Sequence, residues 1–96
     1  MKVYKILHKP SGLYYKPARS YQSQLSKNGK IYPELRFAKR ALGMISEINI
    51  YKGYKKNGST IFNKIMKCCP DRLKDSAYKD KKYLETEKED FKIVEL

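Results

Sequence analysis

The segment from residue 25 to residue 48 limits the fold more than any other, because it joins a turn signal to a long amphipathic pattern. Apolar residues recur there at spacings of three and four, as on one face of an α-helix: Leu35, Ala38, Ala41, Leu42, Ile45 and Ile48. Pro33 precedes them and suits the first turn of a helix, where its missing N–H is not needed. The pattern predicts a helix over residues 33–48 whose opposite face carries Arg36, Lys39 and Arg40.

Two hairpins are predicted before this helix. Residues 2–8 alternate as in a strand, with Lys5 and Leu7 facing one way and Ile6 the other, and residues 10–12 turn the chain into a second strand at 13–15. Asn28-Gly29 accepts the positive φ angles of a tight turn, so residues 24–25 and 30–32 are expected to run antiparallel beside it.

Beyond residue 48 the sequence leaves alternatives open. In residues 60–69 the apolar positions fall at helical spacing before Pro70, which favours a short helix over a strand. Residues 71–90 are polar and mixed in charge, which predicts either a weakly packed third helix or a mobile connection. Residues 91–96 are apolar and β-prone, and we expect them to pair with the first strand and close the sheet.

These elements predict an α+β fold. A small antiparallel sheet, made of the N-terminal hairpins and the C-terminal strand, packs on one main amphipathic helix, with one or two further short helices. At 96 residues the chain has the length of a single domain. Within residues 1–96 we expect a hairpin-hairpin-helix core at 1–48, a polar insertion at 49–90 and a closing strand at 91–96.

The net charge of +12 is distributed unevenly along the chain. Residues 1–40 hold ten Lys/Arg and one acidic residue, and residues 41–70 hold five Lys/Arg and one acidic residue. Residues 71–96 hold seven Lys/Arg and eight acidic residues. A one-sided excess of this kind concentrates polyanions near the protein. Nucleic acid, either DNA or RNA, is therefore the first partner expected and an acidic protein the second, whereas no membrane partner is predicted.

Two groups of residues are candidates for such binding. Cations of the second hairpin and the helix face could neutralise phosphates, and five contacts to a duplex would give a salt slope of roughly −4 to −5. Rings interleaved with cations could stack bases and hold a backbone. The candidate binding residues are Lys16, Arg19, Lys27, Lys30, Arg36, Lys39, Arg40, Tyr51, Lys52, Tyr54, Lys55 and Lys56. The competing interpretation is a solvated helix face and a sheet face filled by tyrosines, which is favoured for Tyr4, Tyr14 and Tyr32.

The sequence predicts no catalytic site, no metal site and no cofactor. His8, Cys68 and Cys69 lack the spacing that brings thiolates and imidazole to one tetrahedral ion, and nothing local supports a Cys–His nucleophile. We therefore expect a protein that is not an enzyme. No apolar run has the length of a membrane span, and the first ten residues lack the apolar core of a signal peptide, so a cytoplasmic location with reduced thiols is expected.

The order of short motifs resembles that of small phage-encoded early proteins, most of which have no assigned activity. The motifs are residues 11–15 (SGLYY), 25–32 (LSKNGKIY) and 91–95 (FKIVE), and the likeness covers residues 2–42 and 91–95. Ser11 stands where threonine is more usual, and the segment 48–90 departs from the compact pattern. The resemblance implies a host-cell context, in the host cytoplasm, and a role in modulating a host system or in binding nucleic acid. It implies no catalytic residue.

The sequence thus supports two hypotheses. The first is a non-enzymatic basic protein that binds nucleic acid through its hairpin and helix. The alternative is a phage anti-host or anti-defence inhibitor that docks its basic face onto an acidic surface of a host protein. A small sheet with open edges also leaves a homodimer as an alternative to the monomer.

Overall fold

The part of the chain that the structure describes forms two antiparallel sheets and two α-helices. The structure is a computed structural model that describes residues 2–17, 23–51, 56–78 and 80–96, without the side chains of residues 56–59. The strands and helices of the described residues are β1 (Tyr4–His8), β2 (Leu13–Tyr15), β3 (Leu25–Ser26), α1 (Leu35–Met44), β4 (Glu47–Tyr51), α2 (Lys56–Cys68), β5 (Leu73–Asp75), β6 (Lys81–Glu85) and β7 (Phe91–Glu95). Short 3₁₀ turns occupy Pro70–Arg72 and Lys88–Asp90. The α+β prediction is confirmed.

The first sheet has the strand order β3-β2-β1-β7. The predicted hairpin of β1 and β2 is confirmed, with Leu7 opposite Tyr14. Gly12 makes its turn possible, because its φ of +73° lies in the left-handed region and its N–H donates to the carbonyl of His8 at 2.8 Å. The predicted closure by the C-terminal strand is also confirmed, since β7 pairs with β1 along its whole length, with Leu7 opposite Lys92.

The predicted hairpin at Asn28-Gly29 is wrong. Leu25–Ser26 pairs with β2, whereas Tyr32 forms an isolated bridge with Tyr4 on β1. Gly29 has a φ of +67°, but Asn28 does not have a positive φ, and the two-residue turn we predicted needs one at both positions. The loop instead carries the chain past the end of β2, where the N–H of Gly29 donates to Ser26 Oγ at 2.8 Å.

The main helix is shorter than the apolar spacing predicted. It ends at Met44, and Ile45 is extended with φ −76° and ψ 121°. Ile48 lies in β4, where it and Ile50 are fully buried on the same side of the strand. Ile48 lies three residues after Ile45, so its place in the alternation of β4 also fits the helical spacing, and this coincidence made the predicted helix too long. Pro33 lies outside the first turn, because the helix begins at Leu35 with Glu34 as its N-cap.

The second sheet, with strand order β4-β6-β5, was not predicted. Residues 71–90 are neither a helix nor an unstructured connection, because β5 and β6 pair with each other and β6 pairs with β4. Ile48 and Leu84 are opposite each other in this sheet and both are fully buried. The helix favoured for residues 60–69 is confirmed as part of α2, which buries Phe62 and Ile65 against the core.

One hydrophobic core serves both sheets. The side chains of Ile6 from the first sheet, Ala38 from α1 and Leu84 from the second sheet belong to the same buried cluster. The outer edge of β4 is also joined to the chain before β3: Gln24 exchanges hydrogen bonds with Asn49 at 2.8 and 2.9 Å. Among the described residues, neither helix combines the length and apolar character needed to cross a bilayer.

Candidate nucleic-acid interface

The basic face of α1 points away from the core, with Arg36, Lys39 and Arg40 all exposed. Arg36 is already engaged, because its Nε lies 2.6 Å from Glu34 Oε2 and its guanidinium lies 4.9 Å from the ring centroid of Phe37. An ion pair this exposed contributes only about 0–1 kcal/mol to stability. Lys39 and Arg40 are therefore the helix cations that remain available to a partner.

A second basic site lies where the 26–29 loop faces α2. Lys16 and Lys27 both line an open groove of about 510 Å³. Its other lining residues are Ser26, Asn28, Gly29, Thr60 and Ile61. Lys30 does not line the groove, and its Nζ instead lies 5.3 Å from the ring centroid of Tyr32. The structure thus brings together two of the predicted site residues that are eleven positions apart in the sequence.

The first sheet has one buried face and one open face. Ile6, His8, Leu13 and Phe91 point into the core, and each is less than 10% exposed. Alternate residues of the same strands point the other way, and none of them is buried. We define the open face by these side chains: Lys5, Leu7, Tyr14, Ser26, Lys92 and Val94. Within the described residues, the hydrophobic core includes none of them.

The open face carries cations beside an aromatic ring. The ammonium of Lys5 lies 5.0 Å from the ring centroid of Tyr14. Leu7 is opposite both Tyr14 and Lys92, and Tyr14 is opposite Ser26, so these four side chains form one row across all four strands. The sequence hypothesis omitted Lys5 and Lys92, although the alternation of β1 already placed Lys5 and Leu7 together.

The groove and the open face are continuous. Ser26 lines the groove and is the cross-strand neighbour of Tyr14. Gly29 also lines the groove, and a methyl group added there would lie 2.3 Å from Cβ of Tyr14. By contrast, α1 packs on the buried face of the sheet through Ala38. The helix cations and the open face therefore lie on opposite sides of the first sheet.

Ion pairs divide the charge of the molecule into two regions. Three of the five described ion pairs join residues between positions 72 and 90: Arg72–Asp90, Lys74–Glu85 and Lys82–Asp75. In residues 2–51, only Lys2 and Arg36 have a carboxylate of the described residues within 4.0 Å. The cations of that region without such a carboxylate are Lys5, Lys9, Lys16, Lys27, Lys30, Lys39 and Arg40. The local excess of positive charge is thus concentrated in the first half of the chain.

Several predicted site residues lie outside the described part of the chain. These are Arg19, Lys52, Tyr54 and Lys55, together with the side chain of Lys56, whose backbone begins α2. Tyr51 is described as a half-buried residue at the end of β4, where its N–H donates to Ser23 Oγ at 2.8 Å.

His8 serves the fold rather than a site. It is 1% exposed, its Nδ1 lies 2.7 Å from Ser11 Oγ, and its ring centroid lies 5.2 Å from that of Phe91. Burial lowers the pKa of His8 below the usual value of 6.5, although the charge of Asp90 opposes this effect. The imidazole is thus neutral at pH 7, and Ser11 Oγ also accepts the N–H of Leu13 at 3.2 Å, which ties the ring to the turn.

The two thiols have no acid–base partner among the described contacts. Cys68 is exposed and Cys69 is buried, with their Sγ atoms 3.0 Å apart. Burial and the neighbouring Cys68 raise the pKa of Cys69 to about 12, which makes it a poor nucleophile at neutral pH. In the part of the chain that is described, no three His, Cys, Asp or Glu residues gather as metal ligands.

Comparison with protein-family models, curated proteins and solved structures returns no match to this chain. The function is therefore inferred from the charge, exposure and geometry of the groove, the open face and α1.

Proposed function

We propose that this protein binds nucleic acid without catalysing a reaction, through the groove and the open face of the first sheet. The observation that carries the proposal is the concentration of cations in residues 2–51 that have no carboxylate partner among the described residues. Lys5, Lys16, Lys27 and Lys92 border this continuous surface. Unpaired cations on one surface attract phosphates and release counterions when they bind them.

The sequence hypothesis placed the binding surface on the hairpin and the helix face together, and the geometry favours the sheet side. Arg36 is paired with Glu34, which reduces its attraction for a further anion. The groove and open face offer four lysines on a single continuous surface, whereas α1 offers Lys39 and Arg40 on the opposite side. Four phosphate contacts would give a salt slope of about −2.8 for a single strand or about −3.6 for a duplex.

Fluorescence anisotropy with labelled single- and double-stranded DNA and RNA tests the proposal across a salt series. The variant Lys16→Gln/Lys27→Gln should weaken binding and flatten the salt slope by roughly 1.4 to 1.8, since two contacts are lost. The matched control Lys67→Gln/Lys88→Gln removes the same charge from exposed positions that neither line the groove nor belong to the open face, and it should leave the slope nearly unchanged. Absence of wild-type binding to every probe at low salt would refute the proposal.

A second candidate function is favoured by the apolar side chains exposed on α1. Met44 is 79% exposed and Leu35 and Phe37 are 38% and 37% exposed, beside Lys39 and Arg40. Exposed apolar groups among cations suit an acidic protein surface better than a phosphate backbone. A phage inhibitor of a host protein, the role implied by the resemblance, would dock in this way.

A pull-down from nuclease-treated host lysate distinguishes the two functions. A specific partner that survives the nuclease and is lost with Lys39→Glu/Arg40→Glu would support protein docking. Loss of all captured material on nuclease treatment would support the nucleic-acid proposal. The cytoplasmic location and the homodimer alternative both remain predictions, and sedimentation of the purified protein measures the second.

A further inference from the structure

We infer that the open face binds single-stranded nucleic acid, with an unpaired base stacked on the ring of Tyr14; this inference rests on the function proposed above. Tyr14 is the aromatic residue of the open face, and it is half-buried rather than packed in the core. Lys5 and Lys92 lie on the β1 side of Tyr14, and the lysines of the groove lie beyond Ser26 on its other side. This arrangement differs from the sheet-filling role that the sequence favoured for Tyr14.

The shape of the face favours a single strand over a duplex. Strands lie about 4.8 Å apart, so the row from Lys92 through Leu7 and Tyr14 to Ser26 spans about 14 Å of pleated surface. A duplex admits a helix or a two-stranded ribbon into its major groove, and its base faces are already stacked on each other. A broad sheet would therefore contact an undeformed duplex mainly through phosphates, whereas an unpaired base can lie flat against a ring.

Each side chain of the row has a distinct role in such a complex. The Tyr14 ring provides the stacking surface, and Leu7, its half-buried neighbour, provides an apolar contact for the adjacent sugar or base. Lys5 Nζ lies over the Tyr14 ring, 5.0 Å from its centroid, so a base that stacks there displaces the ammonium from the ring face, and Lys5 then holds the phosphate of that nucleotide. Lys92, on the far side of Leu7, is exposed and can hold a second phosphate.

The groove provides a path along which the bound nucleic-acid strand can leave the open face. Ser26 ends the row and lines the groove, where Lys16 and Lys27 lie. A strand that crosses the sheet from Lys92 towards Ser26 therefore continues between cations instead of meeting a carboxylate of the described residues. The path passes Thr60 and Ile61 of α2 in the groove, whereas α1 packs on the buried face of the sheet.

The ring is tested by two substitutions at Tyr14. Tyr14→Phe keeps the ring and should bind a single strand of about 12 nucleotides within about twofold of the wild type. Tyr14→Leu keeps apolar bulk without a ring and should weaken binding roughly 5- to 150-fold, as expected for the loss of one stacked base. A 2-aminopurine base in the probe gives a second measurement, since its fluorescence should be quenched by the wild type and by Tyr14→Phe but not by Tyr14→Leu.

The cations are tested with matched pairs. Lys5→Gln/Lys92→Gln should flatten the single-strand salt slope by about 1.4, whereas Lys67→Gln/Lys88→Gln should not. Thermal unfolding of each variant checks that it is folded. If Tyr14→Leu does not fold, two other measurements decide whether the open face binds a single strand: the salt slope of Lys5→Gln/Lys92→Gln and the ratio of single-strand to duplex affinity.

The outcomes separate this inference from the proposed function. A single-strand preference of tenfold or more, lost with Tyr14→Leu, supports both. Binding that is equal for duplex and single strand, and unchanged by Tyr14→Leu, would overturn the inference and leave the proposed function standing. No binding to any nucleic acid would overturn both.

Discussion

Replacing Gly29 with alanine tests the contact that holds the groove beside the open face. Gly29 has a φ of +67°, a left-handed conformation that costs an ordinary residue about 1–2 kcal/mol. The added methyl group would also lie 2.3 Å from Cβ of Tyr14 and 3.2 Å from the carbonyl oxygen of Tyr15. Both atoms belong to a paired strand, so relief requires a backbone shift, and such overpacking costs about another 1–3 kcal/mol. We expect Gly29→Ala to lower the free energy of unfolding by about 2–5 kcal/mol.

Two other glycines provide controls for the separate contributions. Gly12 has a φ of +73°, but the nearest atom to an added methyl group is Lys64 Nζ at 4.0 Å, so Gly12→Ala should cost only the backbone strain of about 1–2 kcal/mol. Gly43 lies near the end of α1 with nothing within 4 Å of an added methyl group, so Gly43→Ala should raise stability by about 0.5–1 kcal/mol. Urea unfolding followed by far-UV circular dichroism gives all three free energies.

The order of stabilities decides whether this reasoning holds. We expect Gly43→Ala to be the most stable, followed by the wild type, Gly12→Ala and Gly29→Ala. If Gly29→Ala unfolds at the same urea concentration as Gly12→Ala, with the same dependence on urea, then the loop does not approach β2 as described. A double-mutant cycle with Tyr14→Gly isolates the steric part, because that change removes the nearest atom, and a coupling energy within about 0.3 kcal/mol of zero would also refute the contact.

Three further predictions concern the core and its polar groups. Leu84→Ala should cost about 2–5 kcal/mol in one cooperative transition, because Leu84 is fully buried in the core shared by both sheets; two separate transitions in urea would contradict this. The free energy of unfolding should fall as the pH is lowered from 7 to 5.5. The pKa of His8 is lowered in the folded protein, so the unfolded chain takes up a proton first. His8→Gln should remove most of this pH dependence. It is the one histidine of the chain, so few other groups titrate in that window. Iodoacetamide at pH 8 should alkylate exposed Cys68 before Cys69, whose pKa is raised to about 12, and mass spectrometry of the labelled peptide identifies the site.

The elements predicted correctly are those whose signals are local or strong. The β1–β2 turn at residues 10–12 needs a glycine with positive φ, and Gly12 supplies it. The closing strand was predictable because Phe91 and Ile93 alternate with Lys92 and Val94 in a short β-prone run. The helix at residues 60–69 was predictable from apolar spacing, with Phe62 and Ile65 on the buried side.

The second sheet was not predictable from local pattern. β6 buries one side chain completely, Leu84, and β5 buries none, so neither strand shows clear apolar alternation. The sheet depends on β4, and Ile48 of β4 had been assigned to the preceding helix because Ile45 and Ile48 continue its spacing of three. One misassigned residue, Ile48, therefore concealed both the end of the helix and an edge strand of the second sheet.

The candidate site was predictable in composition but not in position. Lys16 and Lys27 were selected from their sequence neighbours, but their shared groove depends on β3 pairing with β2, which the predicted Asn28-Gly29 hairpin excluded. Lys92 was omitted because the closing strand was considered for its apolar residues alone. Its place beside Leu7 follows only from the register between the first and last strands.

Ion pairs in the β5–β6 hairpin and the register of β7 together account for the two charge regions of the molecule. Two acidic residues near the C-terminus find cations close in sequence: Asp75 pairs with Lys82, and Glu85 with Lys74, within the hairpin of β5 and β6. They are therefore not free to neutralise the first half of the molecule. β7 then adds Lys92 to the open face and directs Glu95 to the other side of the sheet, where it pairs with Lys2. A one-residue slip of β7 would reverse these two side chains and exchange a lysine for a carboxylate on the open face, so the register of the last strand affects the charge of that face.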